Sequence, residues 1–225
     1  IFAINQLDHE KADYDKTLQQ VKDHFGSKVV VVQYPVQVGA GFHEIIDVLR
    51  MTLYKFYDSG GKPEKLPIPV SEKDKAERLH KELVEAIASN DETLMEHYFD
   101  KGELTEDEMK EGMKKAMINH DLFPLFCLSA ERNMGSGRLM GFIDNVCPSA
   151  NEMPPQLTRK GGTLPCKADG PACLFVYKVV TEPHVGELSF FKVYSGVIKS
   201  GMELVNENTN VSEKISQLFI VEGNK

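Results

Sequence analysis

The sequence holds 225 residues, 41% of them apolar, with a formal net charge of −8. That length and apolar share build one large or two ordinary domains and exclude intrinsic disorder. The acidic balance gives no footprint for phosphate backbones, so DNA is excluded as a partner, and no apolar run approaches the roughly 18 residues of a membrane span.

The first four residues, Ile1-Phe2-Ala3-Ile4, suit a strand of a parallel sheet, apolar on both faces. Asn5-Gln6-Leu7-Asp8 follows and would sit at the carboxyl end of that strand, where open α/β sheets bind ligands. No initiator methionine precedes Ile1, and the chain is expected to be a piece of something longer. Tyr14, Leu18, Val21 and Phe25 repeat at helical spacing, which predicts a helix over 14–25 with Asp13 as cap and Gly26 as stop. Val29 to Val32 reads as a second buried strand, so the opening segment is a βαβ unit.

Residues 35–70 are dense in Gly and Pro and read as irregular, with 42–49 open to either a strand or a short helix. Three helices follow. Ser71 is the expected cap of the first, which carries Ala76, Leu79, Leu83 and Ile87 on one face. The second spans 91–99 with Asn90 as its cap. The third opens on a Thr105/Glu108 capping box and carries a core stripe of Met109, Met113, Ala116 and Met117. Residues 71–120 hold 14 acidic against 8 basic side chains, a balance that fits a solvated helical face or contact with a basic protein surface.

Leu122 to Leu128 reads as another buried strand ending in Ser129-Ala130. A helix over 136–146 is stopped by Pro148, and residues 148–171 form a Pro- and Gly-rich linker. From Ala172 the pattern is all β, with strands expected over 174–180, 188–194, 202–205 and 215–219, as in a barrel. The four cysteines (Cys127, Cys147, Cys166, Cys173) make no C-x-x-C pair, which fits reduced, mostly buried thiols in a cytoplasmic protein. The seven histidines show no metal-ligand spacing, and neither a G-x-S-x-G elbow nor a G-x-x-x-x-G-K-[ST] loop is present.

Four stretches carry a resemblance. Asn5-x-x-Asp8 ends one strand and Ser129-Ala130 ends another about 120 residues on. Asp91-Glu92-Thr93-Leu94-Met95-Glu96-His97-Tyr98-Phe99 with Gly102-Glu103-Leu104-Thr105 lies between them. Glu182-Pro183-His184-Val185-Gly186-Glu187-Leu188-Ser189-Phe190-Phe191-Lys192-Val193-Tyr194-Ser195-Gly196 opens the β region. Over essentially its whole length the chain resembles translational GTPases of the elongation factor G type.

The resemblance implies an α/β fold. A partial P-loop-type GTP-binding domain would occupy 1–147, with a mostly helical insert at 35–120. A linker (148–171) and the start of an all-β barrel domain (172–225) would follow. It also implies a translation factor that drives GTP-dependent ribosomal translocation, with ribosomal RNA and the ribosomal stalk protein as partners. Ribosome protection, release-factor recycling, or a ribosome-binding role without hydrolysis are the alternatives.

GTP or GDP would be the cofactor. Asp8 would accept from the guanine ring N–H and amine, because an ionised carboxylate is acceptor-only. Asn5 would tie the loop to its neighbours, Ala130 would offer its N–H to guanine O6, and Ser129 would shape that loop. GTPase chemistry and Mg2+ would depend on residues outside this sequence, so no catalytic or metal residue is assigned. Gln6 stands where the family has Lys, Leu128 replaces a common Gly, and Lys192 replaces an Arg. The first two bear directly on guanine affinity.

Overall fold

The computed structural model describes residues 1–159, 161–182 and 186–221. The chain divides into two compact units, Ile1–Pro148 and Ser149–Lys225. Both are built from α/β or β elements, with one parallel sheet and several antiparallel ones.

In the first unit, β1 (Phe2–Ile4), β2 (Val29–Val31) and β7 (Phe123–Cys127) form a parallel sheet in the order β1-β7-β2. Helix α1 (Tyr14–Phe25) links β1 to β2, and its bounds are those predicted. The Asp13 carboxylate accepts from the Lys16 N–H, and Gly26 leaves the helix at φ 73°, where a side chain is disfavoured. Helix and sheet meet through aromatic rings, with the Phe2 and Phe25 centroids 4.6 Å apart. That packing covers one face of β1 only. Ile4 is buried and Phe2 half-buried on it, whereas Ala3 on the other face is exposed, contrary to the expectation of a strand buried on both faces.

The largest departure from expectation is at 33–66. This segment is not irregular but a four-stranded antiparallel sheet of β3 (Gln33–Pro35), β4 (Glu44–Asp47), β5 (Thr52–Lys55) and β6 (Glu64–Leu66). The Gly and Pro residues that suggested irregularity mostly mark its connections. Val32 leaves β2 and steers the chain from one sheet to the other; its N–H donates to the Leu125 carbonyl while its carbonyl accepts from Val48. The insert therefore carries an antiparallel sheet beside its three helices, and β4 resolves the 42–49 ambiguity as a strand.

Helices α2 (Val70–Ala88), α3 (Glu92–Lys101) and α4 (Glu106–Ile118) complete the insert. Ala76, Leu79, Leu83 and Ile87 of α2 are all buried. Two caps differ from expectation. α2 starts after Pro69, one residue before Ser71, because proline's fixed φ suits a helix entrance. Asp91, not Asn90, caps α3, and the Asn90 amide instead donates to the Ala86 carbonyl. The Thr105/Glu108 capping box forms, and Met109, Met113 and Ala116 are buried, with Met117 half-buried. Helix α5 (Ser136–Val146) then packs Phe142 against Phe126 of β7, ring centroids 4.8 Å apart.

Among the described residues the second unit is all β, with three antiparallel pairs: β8 (Gln156–Leu157) with β9 (Thr163–Leu164), β10 (Cys173–Glu182) with β11 (Gly186–Ser195), and β12 (Glu203–Asn206) with β13 (Val211–Lys214). Among the described residues these pairs do not close a barrel. The last strand lies four residues before the expected 215–219, because the turn after Asn206 is tight and Asn210 adopts φ 56°. Pro183, His184 and Val185 of the quoted motif lie outside the described residues. All four cysteines are unpaired, and only Cys127 is fully buried, so the expectation of mostly buried thiols holds for one of them. Among the described residues, no helix is long and apolar enough to cross a membrane.

Candidate functional site

β1 and β7 are parallel neighbours in the register Ile4↔Cys127, so the loops leaving their carboxyl ends emerge side by side. The residues singled out from the sequence fall on these two loops, Asn5, Gln6 and Asp8 on one and Ser129 and Ala130 on the other. The backbone laces them together. The Leu128 N–H donates to the Ile4 carbonyl at 2.9 Å, and the Leu7 N–H donates to the Leu128 carbonyl at 3.4 Å. Leu128 is thereby used as strand-like backbone with its side chain buried, which a leucine performs without strain.

The Asn5 side-chain oxygen accepts the Ala130 N–H at 2.9 Å, across 125 residues of sequence. Asn5 thus ties the two loops together, and the same bond engages the Ala130 N–H. Asp8 accepts a hydrogen bond from the buried Ser129 hydroxyl, which, with its own loop backbone and the nearby Arg132 charge, holds the carboxyl below its ordinary range. Asp8 is therefore ionised at neutral pH and presents only acceptors. The Arg132 Nε lies 3.2 Å from Asp8 Oδ2, and Arg132 Nη1 lies 3.7 Å from Asp58 Oδ1.

Both loops contain left-handed backbone. Gln6 sits at φ 60°, a conformation that non-glycine residues adopt rarely, and its side chain is exposed. The second loop is closed by a reciprocal pair of Ser129 and Met134 backbone bonds, both 2.9 Å, with Asn133 at φ 53°. This tight reversal aims Arg132 back at Asp8. Strain of this kind concentrates at functional sites, where the surrounding structure over-determines it.

Sequence reasoning missed three contributors. Arg132 is one, although a cation two residues past Ala130 is a readable signal. Gly39 is another. At φ 74° its N–H donates to the Leu7 carbonyl at 2.7 Å, so the insert buttresses the first loop. Gly135 is the third. At φ 86° a β-carbon there would lie 2.8 Å from the Cys127 carbonyl oxygen and 3.0 Å from the Ile45 side chain.

A buried ionic tie stands behind the site. Arg138 of α5 meets Asp47 of β4 at 2.9 Å and lies 4.5 Å over the Tyr54 ring. Asp47 also accepts from the Arg50 N–H and, at 3.4 Å, from the Gln33 amide. The helix that follows the second loop is thus fastened to the insert sheet that supports the first.

No family model matches the sequence. Among solved structures, the chain is similar to the crystal structure of a protein from Thermus thermophilus, with a TM-score of 0.77 and 26% sequence identity. The match covers 99% of this chain and 31% of that one, so the chain spans about a third of that protein's length.

Proposed function

We propose that the two loops form the base-reading half of a guanine-nucleotide site, in a translational GTPase of the elongation factor G type. The observation that carries this reading is the joining of Asn5-x-x-Asp8 to Ser129-Ala130 at the carboxyl ends of adjacent parallel strands, where α/β sheets bind ligands. An ionised, acceptor-only Asp8 fits the paired N–H donors of guanine and mismatches adenine. The Ala130 N–H is a donor of the kind guanine O6 needs, once Asn5 releases it or shares it.

Phosphates and Mg2+ would be held by residues that this sequence does not contain, and hydrolysis would belong to them. The assembled protein would act in the cytoplasm, coupling GTP to ribosomal translocation, with ribosomal RNA and the stalk protein as partners. A second reading, ribosome binding without GTP hydrolysis, is favoured by Gln6. Its exposed, uncharged side chain stands where the resemblance implies a lysine stem over the base.

Titration of the complete protein with a fluorescent GDP analogue, with GDP or ADP as competitor, tests the first reading. Displacement by GDP alone is expected, and Asp8→Ala should weaken binding by roughly tenfold or more, since each hydrogen bond to a charged group contributes about 1.5–3 kcal/mol. Equal displacement by ADP would refute guanine reading. If binding occurs only after Gln6→Lys, the second reading holds.

A further inference from the structure

Both groups that would read a guanine edge already carry an intramolecular partner of matching chemistry. The Asp8 carboxylate, an acceptor suited to the N1–H and amine of guanine, faces the Arg132 guanidinium with Nε at 3.2 Å. A guanidinium is a planar fork of N–H donors, the same pattern that the base edge offers. The Ala130 N–H, suited to guanine O6, donates to a carbonyl-type oxygen, Asn5 Oδ1, at 2.9 Å. One protein donor and one protein acceptor therefore already engage the two groups that would read the base edge.

We propose that Arg132 is an affinity-setting residue that competes with guanine for Asp8, with Asn5 competing in parallel at Ala130. This rests on the guanine reading above. The loop is built for the task, because the tight 129–134 reversal projects Arg132 across to the opposite loop, and its own N–H is held by the Ser129 hydroxyl at 3.3 Å. Displacement from Asp8 does not strand the cation. Asp58 lies 3.7 Å from Arg132 Nη1, and its carboxylate also contacts His43 Nε2 at 3.2 Å, so a second carboxylate waits beside the same guanidinium. Arg132 is partly exposed, which makes the pair with Asp8 weak enough for a ligand to break.

Competition of this type lowers apparent affinity by the fraction of molecules in which the reader is engaged. An ion pair of this exposure corresponds to about a two- to fivefold effect. In the complete protein, Arg132→Ala should tighten GDP binding by about that factor while leaving ADP rejected. Stopped-flow measurement with the fluorescent GDP analogue should place the gain in the association rate, with dissociation little changed. A purely structural Arg132 would do the reverse, since a loosened loop raises the dissociation rate. The gap between wild type and variant should also narrow as salt rises, because an exposed pair is screened. Selective GDP binding that is unchanged or weakened by Arg132→Ala would overturn the proposal and leave the guanine reading intact. Absence of selective GDP binding in both wild type and variant would overturn both.

Discussion

Two apolar runs that look alike in sequence end in opposite environments. Val29 to Val32 in the first unit is buried throughout, whereas in the second unit Phe175, Tyr177 and Val179 are 56%, 61% and 55% exposed. The difference is one of layers. β2 pairs with β7 and is covered by helices, while β10 pairs with β11 alone and no helix of its own unit packs on it among the described residues. A two-stranded ribbon fixes register through backbone bonds but leaves side chains wet. Among the described residues the buried apolar side chains of the core all belong to the first unit, and the candidate site is built on that unit.

If this contrast is right, substitutions in the first unit should cost much more than similar ones in the second. The largest effect is expected at Asp47, which is 3% exposed and shared by Arg138, Arg50 and Gln33. Asp47→Ala strands the Arg138 guanidinium, and stability should fall by about 3–5 kcal/mol, read from the denaturant midpoint of the first unit. A loss below about 1 kcal/mol would show that the tie is not part of the scaffold.

Gly135→Ala comes next. It combines a left-handed backbone with a β-carbon driven toward the Cys127 carbonyl, and should cost about 2–4 kcal/mol in the same assay.

Glu108 sharpens the contrast with pH. The Thr105 backbone N–H, then His97 and the Thr105 hydroxyl, pull its carboxyl from an ordinary 4.5 down to about 2. A depressed carboxylate stabilises the fold fully above its unfolded value and loses that contribution as pH falls through its folded one. The stability difference between wild type and Glu108→Gln should therefore be constant above pH 4.5 and close as the pH drops toward about 2. A difference that persisted at the acid end would contradict this assignment.

The smallest effect is expected in the second unit. Phe175→Ser should change stability by no more than about 1 kcal/mol, because the residue is already more than half exposed and its ring meets the Tyr194 edge across the ribbon, centroids 6.5 Å apart. A loss of several kcal/mol would break the comparison outright.

The same contrast explains what was legible in the sequence. Helix α1 was readable to the residue because Asp13 and Gly26 are local signals that act on their own helix. The two site loops were readable because each ends a run of apolar residues. The β3–β6 sheet was not, since its strands are three or four residues long and their pairing, such as Ile46↔Leu53, is a matter of register rather than composition. Glycine and proline at the connections masked it. The tie made by Asn5 is legible only through the resemblance, and its partner, the Ala130 N–H, and the Arg132–Asp8 pair are not, because each joins residues more than a hundred positions apart. Gly135 had a legible glycine but no legible reason, which lies in the carbonyl it must approach. The turn over 207–210 is legible from its Asn residues, but the strand that follows it, Val211–Lys214, is mostly polar and exposed, so the apolar Ile215 to Phe219 draws the expected strand four residues too far along.

The central claim is that Asp8 reads the base, and its most direct test is a change of letter. Asparagine at position 8 replaces one acceptor with an N–H donor, which clashes with the guanine amine and matches the 2-carbonyl of xanthine. In the complete protein, Asp8→Asn should reduce GDP affinity by roughly tenfold or more and raise affinity for xanthosine diphosphate. Unchanged GDP affinity in that variant, with no gain for xanthosine diphosphate, would contradict the assignment of this loop as the guanine reader.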